Sequence, residues 1–152
     1  MFSQKLQGII FAILLTINIL IFPEITWALG IKSGHLTSCP ASPNCVVSQN
    51  NADSEHTIAA IPYHIDHDQA RAALLKVLTV VPRTEVIEQT DDYIHALSKS
   101  RIFKFIDDVE FYLPPNEPVI HIRSASRVGD SDLGVNRRRM EQIRLALRDF
   151  NI

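Results

Sequence analysis

Acidic and basic side chains are concentrated in two stretches of the chain, which could bind each other or an anion. The first stretch, residues 103–111 (FKFIDDVEF), carries Asp107, Asp108 and Glu110. The second, residues 123–140 (RSASRVGDSDLGVNRRRM), carries five arginines, three of them consecutive. Guanidinium groups bind carboxylates and phosphates through paired, charge-assisted hydrogen bonds. The chemistry predicted for these two stretches is therefore ion pairing or anion binding.

We expect the three consecutive arginines to lie in the first turn of a helix, where cations are unfavourable. Three interpretations of the two stretches are therefore open. The arginines could all be paired with carboxylates, one could remain free to bind a small anion, or Asp107 or Asp108 could act as a general base. No arrangement of nucleophile, base and orienting group accompanies the carboxylates, and we predict no catalytic residue. The candidate ligand-binding residues are Asp107, Asp108, Glu110, Arg123, Ser124, Ser126, Arg127, Asp132, Asn136, Arg137 and Arg139.

Residues 101–113 alternate between apolar and polar, which predicts a strand with its phenylalanines, including Phe103 and Phe105, on the core face. Asp107 shares that face, where a carboxylate needs a cation or hydrogen bonds. We expect arginines of the second stretch to supply them. If residue 113 pairs with 118 across a hairpin, the cross-strand pairs are Phe111 with Ile120, Glu110 with His121, Val109 with Ile122, Asp108 with Arg123, and Asp107 with Ser124.

The remaining elements follow from hydrophobic periodicity and turn residues. Asp66 or Asp68 is expected to cap the first helix, and Asn136 the second, whose apolar stripe would be Met140, Ile143, Leu145 and Leu147. The result is an α+β fold (β-α-β-β-β-β-α), an antiparallel sheet of about five strands with two helices packed on one face. The predicted segments are an irregular arm over 29–57, and within a single domain (58–152) strands 58–65, 83–89, 92–99, 101–113 and 118–127 and helices 67–81 and 135–150.

The first 28 residues have the pattern of a secretory signal peptide. One cation, Lys5, precedes an uncharged apolar run over residues 8–22, and Thr26-Trp27-Ala28 suits cleavage after Ala28. The alternative is an uncleaved membrane anchor formed by residues 8–22. A lipoprotein-like Leu36-Thr37-Ser38-Cys39 also occurs, but it lies far from the apolar run. We therefore expect an exported protein of the periplasm or thylakoid lumen.

Two cysteines, Cys39 and Cys45, lie in one short segment with Pro40 and Pro43 between them. An oxidising compartment favours a structural disulfide between them. Reactive thiols are an alternative, although the redox spacing C-x-x-C is absent. A metal site is a weaker alternative, since two thiols are an incomplete ligand set.

The composition excludes several classes of protein. A length of 152 residues suits one domain, and a net charge of −2 with 21% charged residues is typical of a globular protein. We therefore expect no nucleic-acid partner, and no motif for a nucleotide, metal or other cofactor is present. The His and Asp residues of 63–68 fit a strand end and helix cap better than a metal site. The expected partner is a small anion or a membrane-associated protein complex.

Three motifs of the chain resemble the domain of unknown function 1499 (DUF1499) family of bacteria and plastids. They are CPASPNCVVSQ at residues 39–49, FKFIDDVEF at 103–111 and IHIRSASRVGDSDLGVNRRR at 120–139. The resemblance covers about residues 36–149. It implies an exported or membrane-associated protein, as members often are, and plant relatives are plastid-targeted. The family has no established activity, so it supplies no catalytic residue.

Together these observations favour an exported, non-enzymatic binding or assembly module whose site is the cluster of carboxylates and arginines. Two other functions remain open. One is a small enzyme that uses Asp107 or Asp108 with arginine electrostatics. The other is an accessory subunit of a membrane complex, docked through the N-terminal arm. A pocket beside Asp107 lined by arginines would favour the binding module or the enzyme, and closed ion pairs with an exposed apolar patch would favour the subunit.

Overall fold

The computed structural model describes residues 29–49 and 53–152. The predicted signal segment, residues 1–28, lies outside these residues. Within them, no helix is long and apolar enough to cross a membrane.

One antiparallel sheet and two helices make up the fold, and the α+β prediction is confirmed. The main sheet has six strands, in the order β3-β8-β7-β6-β5, with β4 also paired to β8. A separate two-stranded hairpin is formed by β1 and β2. The elements are β1 (Ile31–Lys32), β2 (His35–Leu36), β3 (Cys45–Val47), β4 (Ile61–Pro62), α1 (His67–Val80), β5 (Thr84–Gln89), β6 (Tyr93–Lys99), β7 (Ile106–Tyr112), β8 (Val119–Ser126) and α2 (Val135–Asp149).

Both helices bury their apolar stripes against one face of the sheet. Asp66 caps α1, as expected, because its side chain accepts a hydrogen bond from the backbone N–H of Gln69 at 2.9 Å. Leu145 does not belong to the buried stripe of α2, as its 55% exposure shows. The core joins Leu74, Val77 and Leu78 of α1 and Met140, Ile143 and Leu147 of α2 to Ile94, Val109, Phe111, Ile120 and Ile122 of the sheet.

The arm over residues 29–57 was expected to be irregular, and this is wrong in part. Its strand β3 pairs with β8, so that Cys45 lies opposite Ala125. The disulfide between Cys39 and Cys45 closes the loop before β3. Leu36 and Val47 of the arm pack with two tyrosines on the face of the sheet away from the helices. The strand predicted over 58–65 is shortened to β4, at the edge beside β8.

The predicted register between β7 and β8 is wrong by two residues. Asp107 lies opposite Ser126, Asp108 opposite Ala125 and Glu110 opposite Arg123. Residues 113 and 118, which were predicted to pair with each other, have other partners. Leu113 donates its N–H to the backbone oxygen of Asp92, and the carbonyl of Pro118 accepts from the N–H of Tyr63. The connection between β7 and β8 is therefore longer than a tight turn. An error of two leaves every side chain on its predicted face.

Residues 101–105 do not extend β7 as predicted, because the strand begins at Ile106. Lys104 has a left-handed backbone (φ 57°), which ends the extended conformation. Phe103 and Phe105, predicted to lie in the core, are 73% and 50% exposed. These residues form a loop between β6 and β7.

Candidate functional site

The alternation of β7 separates the three carboxylates of the first stretch. Asp107 points to the side of the sheet that the helices cover, together with the buried core residue Val109. Asp108 and Glu110 point to the opposite side, where the N-terminal arm lies. All three carboxylates are at most 4% exposed. The predicted cluster is therefore two clusters, one on each face of the sheet.

On the helix side, Arg139 binds Asp107. The Nη2 of Arg139 donates to Oδ2 of Asp107 at 2.5 Å. Its Nη1 donates to Ser124 Oγ at 2.9 Å and to Asn136 Oδ1 at 2.6 Å. Arg139 is 8% exposed, so a buried carboxylate and a buried guanidinium neutralise each other. The expected cation for Asp107 is thus present, and it comes from α2.

Asn136 does not cap α2, which corrects the prediction. The cap position belongs to Gly134 (φ 76°), and Asp132 accepts from the backbone N–H groups of Gly134 at 2.9 Å and Asn136 at 2.6 Å. The fully buried side chain of Asn136 instead accepts from Ser124 Oγ at 2.5 Å. Its Nδ2 donates to the backbone oxygen of Asn44 at 2.9 Å and to Ser126 Oγ at 3.0 Å. Asn136 therefore connects α2 to β8 and to the arm.

On the opposite face, Glu110 is fully buried and satisfied by three donors. Arg123 Nη1 donates to Oε2 at 2.6 Å. Tyr93 Oη and the backbone N–H of Gly30 donate to Oε1 at 2.8 Å and 2.6 Å. Burial and the neighbouring Glu110 raise the pKa of Tyr93, so its hydroxyl stays protonated and can donate. The Nε of Arg123 is a buried atom with no partner among the described residues.

Asp108 is held by Arg127 and His95. Arg127 donates from Nε and Nη2 to the two carboxylate oxygens at 2.9 Å and 2.8 Å, and His95 Nε2 lies 2.8 Å from Oδ1. Burial alone would raise the pKa of Asp108, but the hydrogen bonds from His95 and Arg127 outweigh it and lower the pKa to about 2. Asp108 is therefore ionised at neutral pH.

The two remaining arginines of the second stretch, Arg137 and Arg138, bind backbone oxygens. Arg137 donates to the carbonyls of Glu55 at 2.6 Å and Thr57 at 2.9 Å, which fastens α2 to the segment after β3. Arg138 donates from Nη1 to the carbonyl of Leu133 at 2.8 Å. Neither arginine forms a salt bridge with a carboxylate among the described residues. Their positive charges are not neutralised by direct ion pairs.

A cleft of about 300 Å³ lies between α2, the end of α1 and the β5–β6 pair, and Arg139 is one of its lining residues. Five of its lining residues are cationic and none is acidic. Arg83, Lys99, Arg101 and Arg138 are exposed, whereas Arg139 is buried. Polar groups of Ser98, Ser100 and Gln142 add hydrogen-bonding capacity. We call this cavity, lined by Arg83, Ser98, Lys99, Ser100, Arg101, Arg138, Arg139 and Gln142 with Val81, Pro82 and Val135, the basic cleft.

Arg139 is a predicted candidate residue of the basic cleft, and Arg138 belongs to the arginine stretch considered for anion binding. The other three cations, Arg83, Lys99 and Arg101, were missed. The signal for two of them was present in the sequence. The hairpin of β5 and β6 pairs Thr84 with Ser98, which brings Arg83 beside Lys99. Arg83 Nε then donates to the carbonyl of Lys99 at 3.0 Å. Two like charges at neighbouring strand ends are unfavourable without a counter-charge.

The predicted residues therefore fall into separate places. Asp107, Ser124, Ser126, Asn136 and Arg139 meet on the helix side, while Asp108, Glu110, Arg123 and Arg127 lie on the arm side. Asp132 and Arg137 line a smaller cleft of about 250 Å³ beside the arm. Within the described residues, no group of three or more His, Cys, Asp or Glu side chains could hold a metal ion.

The fold and site define a small α+β domain with buried, internally paired carboxylates beside a cationic cleft. The family model described as protein of unknown function (DUF1499) matches residues 35–147, and the chain belongs to this family. No curated protein and no solved structure matches the chain.

Proposed function

We propose that this protein is an exported, non-enzymatic binding module that binds a small anion, such as a phosphate or carboxylate, in the basic cleft. The observation that carries the proposal is the composition of the cleft, five cationic lining residues and no acidic one. The chain as a whole has a net charge of −2, so this concentration of positive charge is local. A concave site lined by one sign of charge raises the local concentration of ions of the opposite sign.

The ion pairs beside the cleft support this proposal. Asp107 accepts from Nη2 of Arg139, and Ser124 and Asn136 accept from its Nη1, so these contacts hold that side chain in the cleft wall. Asp108 and Glu110 lie on the opposite face of the sheet, paired with Arg127 and Arg123. None of the three lines the cleft. An entering anion therefore meets no carboxylate that would repel it directly.

A small enzyme that uses Asp107 or Asp108 receives less support. A general base works best with a pKa near the working pH, and the pKa of Asp108 is about 2. Asp107 is 4% exposed and covered by Arg139. Neither carboxylate is placed to take a proton from a molecule in the cleft.

An accessory subunit docked through the arm is also less favoured. The apolar side chains of the arm, among them Leu36 and Val47, are buried against Tyr93 and Tyr112 of the same chain. They are thus not available to a partner. The closed ion pairs and the exposed apolar side chains of residues 102–105 meet the condition stated for an accessory subunit, but this apolar patch lies on the loop between β6 and β7 and not on the arm.

Export is the second part of the proposal. It is supported by the signal pattern of residues 1–28 and by the disulfide between Cys39 and Cys45, since such bonds persist in oxidising compartments. Mass spectrometry of the protein recovered from its native host should find a mature N-terminus at Leu29 and no alkylatable thiol. An intact N-terminal segment in the cytosol, with both thiols free, would contradict export.

Phosphate binding tests the site. We expect isothermal titration calorimetry of the wild-type protein with inorganic phosphate to give a saturable heat that weakens as salt is added. Arg138→Gln should weaken binding roughly 10- to 150-fold, because a hydrogen bond between charged groups contributes about 1.5–3 kcal/mol.

Arg148→Gln is the matched control. It removes the same charge from an exposed position in the last turn of α2, away from the cleft. Phosphate affinity should therefore stay at the wild-type value. Equal losses in the two variants, or no saturable heat in the wild type, would contradict the proposed site.

A further inference from the structure

The loop of residues 101–105 (RIFKF) between β6 and β7 is a well-defined protrusion. Its base is closed by two hydrogen bonds, from Ser100 N to Phe105 O and from Phe105 N to Ser100 Oγ, both 2.9 Å. The rings of Phe103 and Phe105 stack with centroids 5.4 Å apart. The loop therefore presents its side chains in a fixed arrangement.

Three large apolar side chains of this loop face solvent. Ile102 is 76% exposed, Phe103 73% and Phe105 50%. Single exposed apolar residues are common on protein surfaces, but a contiguous group of this kind is typical of an interaction site. Removing these side chains from water on binding is favourable in proportion to the apolar area that becomes buried.

Cations surround the apolar tip. Arg101 and Lys104 belong to the loop itself, and both are exposed. Arg101 also lines the basic cleft, with Lys99 and Arg83 beside it. Lys104 lines a neighbouring groove that shares Arg83 and Lys99 and contains one acidic residue, Glu85. The loop therefore combines an apolar tip with positive charges next to it.

This arrangement matches the surface of an anionic bilayer, in which negative headgroups lie above an apolar layer. We propose that the loop of residues 101–105 docks the protein on a membrane that contains anionic lipid. Ile102 and Phe103 enter the boundary between headgroups and acyl chains. Arg101 and Lys104 contact the lipid phosphates. The proposal goes beyond anion binding in the cleft and does not rest on it.

A tryptophan reporter in the full chain tests this docking. Trp27 is the one tryptophan of the sequence, so Trp27→Phe with Phe103→Trp places a single fluorophore in the loop. Vesicles of phosphatidylcholine with phosphatidylglycerol should shift its emission to the blue, and brominated lipid should quench it. Vesicles of phosphatidylcholine alone should have a much smaller effect. Lys104→Gln in this background should lower the partition coefficient roughly fivefold.

The control reporter is Ile87→Trp in the same Trp27→Phe background. Ile87 is 48% exposed on β5, outside the loop. Leu29, which joins the described chain to residues 1–28, lies near Thr90 and Tyr93 at the opposite end of β6. A shift confined to residue 103 therefore reports the loop and not the N-terminal segment.

An unshifted emission at residue 103 with anionic vesicles would overturn the proposal, as would equal shifts at residues 87 and 103. A loop that binds a protein instead of lipid gives the first of these results. Phosphate titration of Ile102→Ser separates the two proposals. Ile102 does not line the basic cleft, so this variant should lose vesicle binding and retain phosphate binding.

Discussion

Each of the three neighbouring carboxylates of β7 is bound by a different arginine, Asp107 by Arg139, Asp108 by Arg127 and Glu110 by Arg123. This internal pairing explains how charged groups can lie inside the sheet, because each carboxylate is neutralised by its arginine. Removing one partner of a buried pair would leave an uncompensated charge. The arginines beside Asp107, Asp108 and Glu110 are therefore structural groups first. Among the described residues, four exposed cations without a salt bridge (Arg83, Lys99, Arg101 and Arg138) lie in the basic cleft, and Arg137 lies in the smaller cleft beside the arm.

Asp108 should make folding stability depend on pH. Its folded pKa of about 2 lies below the ordinary value of 3.8, and one pKa unit corresponds to about 1.4 kcal/mol. The pair therefore stabilises the fold by about 2 kcal/mol above pH 4, and this contribution is lost as the pH falls towards 2. Urea unfolding of Asp108→Asn should show that loss at neutral pH, and the difference from wild type should shrink below pH 4.

Asp91→Asn is the control for this measurement. Asp91 is an exposed carboxylate in the turn between β5 and β6. Its substitution should change the free energy of unfolding by less than about 0.5 kcal/mol. A constant difference between Asp108→Asn and wild type from pH 2 to pH 7 would contradict the assigned pairing.

At the scale of elements, α2 determines the site, because its first two turns supply Asn136, Arg138 and Arg139. Asn136 provides the inward contact, with four hydrogen bonds to β8, the arm and Arg139. Asp132 satisfies the N–H groups at the helix start. The N-terminus of α2 is thereby fixed without a ligand, and Arg138 extends from it towards the cleft.

Asn136→Ala should destabilise the protein by about 3 kcal/mol, measured by urea unfolding. Alanine is the better helix former, so local propensity alone predicts the opposite sign. The loss arises because buried groups of Ser124, Arg139 and Asn44 are left without their partner. Asn116→Ala, at an exposed turn position, is the control and should be near neutral. A destabilisation of Asn136→Ala no greater than that of Asn116→Ala would contradict this role.

Local patterns predicted most of the elements, and non-local contacts account for the errors. The stripe of α1 and the alternation of β7 follow from residues within one segment. In contrast, β3 is three residues long in a stretch rich in Pro and Ser, and its partner β8 is far along the chain. Phe103 and Phe105 continued the alternation of β7, but the closed loop at Ser100 removed them from the sheet.

The candidate site could be predicted in part for the same reason. The parity of β7 placed Asp107 on the helix side, and the register error of two residues preserved that placement. The basic cleft required knowing that the start of β5, the end of β6 and the start of α2 come together. No single segment carries that information, so Arg83, Lys99 and Arg101 were not candidates.

For the whole molecule, the distribution of charge matters more than the net charge of −2. Carboxylates and arginines neutralise each other inside the sheet, while unpaired cations collect at the end of the sheet where β6 turns into the loop of residues 101–105. Both proposals concern this end of the molecule. They differ in the ligand, a small anion in the cleft or a bilayer at the loop.

The phosphate titration is most informative when it is followed at the arginine side chains themselves. Proton–nitrogen spectra of the Nε–Hε groups distinguish the cleft arginines from those that are paired inside the sheet. We predict saturable shifts for Arg101 and Arg138 and unchanged signals for Arg123 and Arg127. Shifts of Arg123 or Arg127, or no saturable shift at Arg101 and Arg138, would contradict anion binding in the basic cleft.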